Sequence, residues 1–289
     1  MKWLIDTLDR QFSQEEIENA LAPIIESASG MKEPGTLKQL FSCIDLTTLS
    51  STDTQERGKL FAQNVSNFHQ HFADMPNVAA ICVYPNLVKT VSKNLKDKTV
   101  KIASVSAGFP ASMTFDAVKD LETGMAVEAG ADEIDLVLSL SEFLADNHHE
   151  VVLDIARLKK VCGTAHLKVI LETGALKAPE RIWKASFLAM QAGADFIKTS
   201  TGKLEPAATH QAAWIMCSAI REFYRKTGRK VGFKPAGGIV ESDDALIYWA
   251  IVKEVLGDEW LNNRLFRIGA SRLANNLLTS ITGQKVTYF

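Results

Sequence analysis

The sequence predicts an α/β fold, a (β/α)8 barrel with extra N-terminal helices, and three observations carry that expectation. Eight short β-rich runs alternate with helix-patterned segments along most of the 289 residues. A unit reading AGAD plus an apolar run occurs twice, in EAGADEIDLV (128–137) and QAGADFIKTS (191–200), as a repeated helix-to-strand junction does. No GxGxxG follows the first run, so the main sign of a doubly wound dinucleotide sheet is missing.

In chain order the runs are QLFSCIDLT (39–47), VAAICVYP (78–85), VKIASVSAG (100–108) and DEIDLVL (132–138). LKVILETG (167–174), DFIKTST (195–201), VGFKPAGG (231–238) and LFRIGAS (265–271) complete the set. Between them, segments such as FDAVKDLETGMAVEA (115–129) and APERIWKASFLAMQA (178–192) repeat apolar residues at three- and four-residue spacing, the helical period. Gly130 and Gly193 read as helix-terminating glycines, since glycine enters the left-handed region cheaply. One domain over 1–289 is expected: helices covering the barrel's bottom within 1–38, the barrel over 39–280 and a tail at 281–289.

Composition narrows the function. The chain is 46% hydrophobic, enough for a large core, and 32 basic against 34 acidic residues give a net charge of -2. Without a basic stripe, nucleic acid is not an expected partner. Cys43, Cys82, Cys162 and Cys217 form no CxxC pair, which favours a reducing compartment over a disulfide framework. Asp6 and Asp9 interrupt what a signal peptide would need as an apolar core, and no apolar run reaches membrane-spanning length. A cytoplasmic protein without a membrane partner is expected, and a homodimer is among the assemblies open to it.

Five strand runs carry charge where a barrel buries apolar side chains. Lys168, Lys198 and Lys234 lie in the fifth, sixth and seventh runs, and Asp45 and Asp135 in the first and fourth. An unpaired buried charge is costly. Each alone is explained as well by a structural ion pair, but five together at strand ends point to catalysis. Free lysine, with a pKa of about 10.4, is only about 0.04% amine at pH 7. A second ammonium about 4 Å away, at an effective dielectric of about 20, costs roughly 4 kcal/mol and releases the proton. Two lysines on neighbouring strands therefore suit Schiff-base catalysis, with Asp135 pairing Lys168 and moving protons through water.

The second half adds an anion site. PAGGIVESDDA (235–245) and IGASRLANNLL (268–278) are glycine turns leading into helices, whose N-terminal N–H groups suit a phosphate. STGK (200–203) adds Gly202 and Lys203 but is too short for a P-loop. Each turn is also explained as a tight βα loop; the three together favour an anion.

Taken together, ADFIKTSTGK, VGFKPAGG, LKVILETGALK, DEIDLV, IDLTTL and FRIGAS resemble the deoxyribose-phosphate aldolases, class I aldolases, in colinear order over roughly residues 39–280. The resemblance implies a TIM barrel that reversibly cleaves 2-deoxy-D-ribose 5-phosphate to acetaldehyde and D-glyceraldehyde 3-phosphate, without a metal or organic cofactor. It implies that Lys198 forms the Schiff base, that Lys234 lowers its pKa and that Asp135, placed by Lys168, relays protons. Asp45 and Thr47 match a motif near the substrate hydroxyls, and Gly202, Lys203, Gly237, Gly238, Gly269 and Ser271 match the phosphate region. Arg272 stands where some members have a second serine, and is open to a phosphate or to solvent. Tyr288 is open to the role of the mobile C-terminal tyrosine of some members, or to a disordered tail.

Three other readings compete. A transaldolase-like or other Schiff-base barrel shares the lysine mechanism but not these motifs. A metal-dependent barrel hydrolase would need histidine ligands, yet His69, His71, His148, His149, His166 and His210 all fall outside the strand runs, with His166 just before the fifth. A binding protein for phospho-sugars has no use for paired lysines. Cys82 could line the pocket but reads first as a small core residue, and Trp183, Trp214 and Trp249 read as packing between barrel and helices.

Overall fold

All eight apolar runs become strands in the computed structural model of the protein, which describes residues 8–289. Asp6 and the beginning of the N-terminal extension lie outside the described residues. The strands are β1 (Ile44–Thr47), β2 (Ala80–Val83), β3 (Lys101–Ser106) and β4 (Glu133–Val137), then β5 (His166–Ile170), β6 (Phe196–Lys198), β7 (Gly232–Lys234) and β8 (Ile268–Ala270). All pair in parallel in the order β7-β6-β5-β4-β3-β2-β1-β8. Bridges Phe233 to Phe266 and Ala236 to Gly269 join the two edges, so the sheet closes into a barrel.

Among the described residues, α1 (Gln14–Ala28) and α2 (Pro34–Ser42) precede β1. The outer layer is α3 (Gln55–Ser66), α4 (Pro85–Asn94), α5 (Asp116–Glu128), α6 (His148–Cys162), α7 (Pro179–Gln191), α8 (His210–Thr227), α9 (Ser242–Leu256) and α10 (Arg272–Thr282). Their starts obey local chemistry. Ser13, Thr54 and Thr209 each accept a backbone N–H of the first turn at the heads of α1, α3 and α8, worth ~1 kcal/mol apiece. Proline opens α2, α4 and α7, where its missing N–H costs nothing.

The first strand is shorter than its run. Residues 39–42 finish α2, because Leu37, Leu40 and Phe41 fall at helical spacing and are buried together. His166 is the exposed first residue of β5 rather than its predecessor. Within the N-terminal extension, α1 buries Ile17, Leu21 and Ile24 chiefly on the outer helices α8 and α9. Phe12, just before it, meets Trp183 and Trp214 edge-on at 5.5 and 6.3 Å. Trp183, Trp214 and Trp249 are all buried among helices.

The repeated AGAD unit has a physical meaning. Gly130 and Gly193 turn the chain at φ 109° and 106°. The aspartate that follows then clamps the start of the preceding strand, Asp132 accepting from Ile102 N at 2.9 Å and Asp195 from Leu167 N at 2.7 Å. Backbone bonds run back from Asp132 N to Ile102 O and from Asp195 N to Leu167 O, both at 2.8 Å. The pair of bonds locks strand register, and register decides which side chains meet inside.

Gly232 illustrates how little room the interior leaves. A Cβ there would stand 2.2 Å from the Phe196 ring. Gly232→Ala should therefore destabilise the fold by about 2 kcal/mol through overpacking, read as a lowered urea midpoint at unchanged slope. A shift under about 0.5 kcal/mol would mean the ring relocates freely.

Candidate active site

Parity along a strand leaves the inward phase open; the parallel register fixes it. Lys198 pairs with Lys234 across β6 and β7, and Asp135 pairs with Lys168 across β4 and β5. In-register neighbours point the same way, so three lysines and two aspartates from five strands converge in the barrel. Lys198 Nζ donates to Asp135 Oδ2 at 2.8 Å, and Lys234 Nζ reaches the same oxygen at 2.7 Å. Lys168 Nζ donates to Asp135 Oδ1 at 3.0 Å and lies 3.3 Å from Asp45 Oδ2, which Lys234 also binds closely.

Two further members were not singled out in the sequence. Glu133 binds Lys168 at 2.5 Å. Arg267 spans two carboxylates, Asp45 Oδ1 at 2.6 Å and Glu133 Oε1 at 2.8 Å. The signal was present: Glu133 shares parity with Asp135 in DEIDLVL, and Arg267 interrupts the apolar LFRIGAS run. All seven side chains are almost sealed from solvent.

That seclusion acts unequally on the cations. Burial is the largest influence on Lys198 and lowers its pKa; the Asp135 carboxylate opposes this, and Lys234 adds to the lowering, with a net fall. Burial also disfavours the charged forms of Lys168 and Lys234, but their carboxylate partners outweigh it and both are held up. Asp45, Glu133 and Asp135 would be raised by burial alone, yet the cations around them hold all three below the usual range. The expected second ammonium thus helps free Lys198, but desolvation does more.

Above Lys198 opens a cavity of about 260 Å³ lined from the ends of β1, β6, β7 and β8. Thr47, Gly202, Lys203, Gly237, Gly238, Gly269, Ser271 and Arg272 all reach it, with Lys198 at its floor. Gly202, Gly237 and Gly238 have φ of 75°, 88° and 81°, in the left-handed region, and a Cβ on Gly237 would meet Ala207 at 2.6 Å. The backbone therefore approaches the cavity as side-chain-bearing residues would not allow. On the β7 side the expected helix N-terminus is displaced: α9 starts at Ser242, and the intervening loop 237–240 lines the cavity instead. On the β8 side Ser271 and Arg272 stand at the start of α10 in the cavity wall.

The other candidate residues fall in different places. Asp45 is fully buried with both carboxylate oxygens engaged, so it holds Lys234 and Arg267 rather than facing the cavity. Lys168, Lys234 and Asp135 likewise lie behind the lining. Cys82 is buried beside Leu49, Ala80, Ala103 and Val105 and does not line the cavity. Tyr288 is neither in the cavity nor loose. Its hydroxyl donates to Asn64 O at 2.7 Å, its ring packs on Phe68 and Phe72, and Asn275 accepts the Tyr288 and Phe289 N–H groups. Lys203 donates to Leu49 O at 2.6 Å, while Arg272, largely exposed, has no ion-pair partner among the described residues. A buried lysine with a lowered pKa, beneath a rim of glycine backbone and cationic side chains, is an arrangement suited to adding a carbonyl compound that carries a remote negative charge.

The model for DeoC/LacD family aldolases matches residues 40–256. The deoxyribose-phosphate aldolase of Homo sapiens is 44% identical over 262 residues, spanning 85% of this chain and 81% of the human protein. That of Bos taurus is 42% identical over 269 residues, spanning 87% and 84%. Among solved structures, the tetrameric deoxyribose phosphate aldolase of Aeropyrum pernix aligns with a TM-score of 0.70 at 24% identity, over 89% of this chain and 96% of that one, a likeness of fold.

Inorganic phosphate should bind the cavity, and Arg272→Ala should weaken it about fivefold at low ionic strength and less in 0.5 M salt, where screening shortens to a few ångströms. Isothermal titration of both proteins checks this; equal affinities at low salt would place Arg272 in solvent.

Proposed function

The chain belongs to the DeoC/LacD family of aldolases, and from that premise we propose that it cleaves and forms 2-deoxy-D-ribose 5-phosphate through a Schiff base on Lys198. One observation carries the assignment of the nucleophile. Of the four cations in this cluster, Lys198 is the one that reaches the cavity, and it has one carboxylate contact where Lys168 has three and Lys234 and Arg267 have two each. It is the cation easiest to deprotonate and the one substrate can reach.

In the cleavage direction the Lys198 amine adds to the C1 carbonyl of the open-chain sugar. Loss of water forms an iminium. A base takes the C3 hydroxyl proton, the C2–C3 electron pair moves into the iminium, and D-glyceraldehyde 3-phosphate leaves. The remaining enamine takes a proton at C2, and hydrolysis of the new iminium releases acetaldehyde and the free amine. Asp135, fixed by Lys168 and acting through water, moves these protons; Lys234 remains an ammonium. Gly202, Lys203, Gly237, Gly238, Gly269 and Ser271 receive the phosphate at the rim, with Arg272 beside them, and Thr47 faces the sugar hydroxyls. Neither metal nor organic cofactor enters this scheme.

A homodimer fits one face. The α5 helix is inverted: it buries Lys119 and Thr123, bonded to Asp154 and Ser106, and turns Val118, Leu121 and Met125 outward. Phe115 is 81% exposed, Met113 78%, Leu121 64% and Met125 60%, and Leu153 on the adjacent α6 joins them. At roughly 200 Å² for a large side chain, the patch presents on the order of 700 Å², close to one partner's share of a stable interface. Asp116, Asp120 and Arg157 flank it with both signs, as a two-fold pairing of identical surfaces requires. The four cysteines are free and buried, in keeping with the cytosol, and no helix of the described residues is long and apolar enough to cross a membrane.

Two measurements test this. Treatment with acetaldehyde and borohydride should leave an ethyl group on Lys198, found by peptide mass spectrometry and absent in Lys198→Ala; labelling scattered over surface lysines would sink the mechanism. In sedimentation velocity the protein should run at twice its 31.8 kDa chain mass and fall to monomer in the Leu121→Glu/Met125→Glu variant. A wild-type monomer at micromolar concentration would leave the patch to another use.

A further inference from the structure

The ion pairs beneath Lys198 form one connected set, and its charges can be counted. Lys168, Lys198, Lys234 and Arg267 face Asp45, Glu133 and Asp135, four cations to three anions. With every group ionised the set is one positive charge in excess, inside a barrel almost sealed from solvent except where Lys198 meets the cavity. Net charge in such a place is expensive. Loss of one proton removes the excess, and partner count says where it leaves: Lys198, bonded to Asp135 alone.

We propose that Arg267 and Glu133, which lie deep in the barrel and touch neither Lys198 nor the cavity, are positioning residues that hold Lys198 as a free amine by fixing this charge balance. Arg267 acts through Asp45 and Glu133. By bonding Asp45 Oδ1 and Glu133 Oε1, it leaves Lys168 and Lys234 to crowd Asp135, so that Lys198 has only a carboxylate it shares with both. Without Arg267, Asp45 and Glu133 draw those two lysines away, and Asp135 becomes available to stabilise an ammonium on Lys198. Phe196, in turn, supports Arg267, whose guanidinium lies 5.7 Å from the ring centre.

The other groups around Lys198 do not change the count. Cys82 on β2 is kept a neutral thiol, since burial raises its pKa. Inward β3 residues Ala103 and Val105 carry no charge. Glu172, after β5, is bonded by the Thr201 N–H and hydroxyl at 3.1 and 2.5 Å and joins no ion pair of the set. Lys203 and Arg272 stand exposed at the rim.

The inference rests on Lys198 being the Schiff-base amine, and the test separates the two. The rate of ethyl labelling of Lys198 by acetaldehyde and cyanoborohydride is followed against pH, with folding checked by circular dichroism. Arg267→Gln leaves three cations to three anions with Lys198 protonated, so the acid limb should move up by about one pH unit, a tenfold loss below the limb that high pH restores. Arg267→Lys should keep the wild-type limb. The double variant Glu133→Gln/Arg267→Gln, which has lost more hydrogen bonds but again balances with Lys198 neutral, should return the limb toward wild type. Glu133→Gln alone should move it down or not at all.

An unmoved limb in folded Arg267→Gln, or a double variant displaced as far as the single one, overturns the inference. If Arg267→Gln does not fold, an upward shift in Glu133→Gln or in the double variant does so. A wild-type protein without label on Lys198 instead overturns the Schiff-base reading itself.

Discussion

Nothing inside a closed parallel barrel can hold a charge without a partner, and this one encloses a cluster of seven charged side chains. Their mutual satisfaction requires side chains from β1, β4, β5, β6, β7 and the residue before β8 to meet in one place. Every other feature of the interior follows from that demand. The aspartates of the AGAD units fix register, the register sets lysine beside lysine, and the bridges to Gly269 and Phe266 close the ring so that Arg267 can reach across it. Glycine at position 269 leaves room for the stem of Lys234, whose Cε would lie 3.2 Å from any Cβ placed there.

Above this charged floor the site changes character. The cavity wall is backbone, loops of glycine with positive φ and the first turn of α10, and its cations at the rim are solvated. On the proposed function, floor and rim do different work: the sealed part sets protonation through low solvation, and the open part offers backbone N–H groups and solvated charge to the phosphate. The separation explains why the residues governing reactivity and those lining the cavity overlap at Lys198 alone among the cluster members.

Much of this was legible in the sequence, and the limits have physical causes. Strand existence is a local property of apolar runs, and all eight were found. Their ends were not, because QLFS reads equally as strand or as the last helical turn until Leu37 and Phe41 find their neighbours. Lys198, Lys234, Lys168 and Asp135 were visible as charges in apolar company. Glu133 and Arg267 are as visible in their runs, but parity along one strand does not show that they meet the other five. Asp45 is visible as a charge in the first run, but alternation gives parity and not depth, so its burial beneath the cavity is not legible there. Tyr288 lay beyond sequence reasoning altogether: only the folded surface of Phe68 and Asn275 determines where the tail rests.

One consequence of the charge count reaches past the resting enzyme. On the proposed chemistry, the iminium puts a positive charge back on the Lys198 nitrogen, and the sealed set is again one charge in excess. The interior that expels a proton from this nitrogen also disfavours a cationic carbon–nitrogen bond on it. Breaking C2–C3 supplies the electron pair that cancels the charge and yields a neutral enamine. The barrel thus works as an electron sink whose appetite is set by its own ion pairs, so that the carboxylate missing from the count sharpens the covalent intermediate as well as the nucleophile.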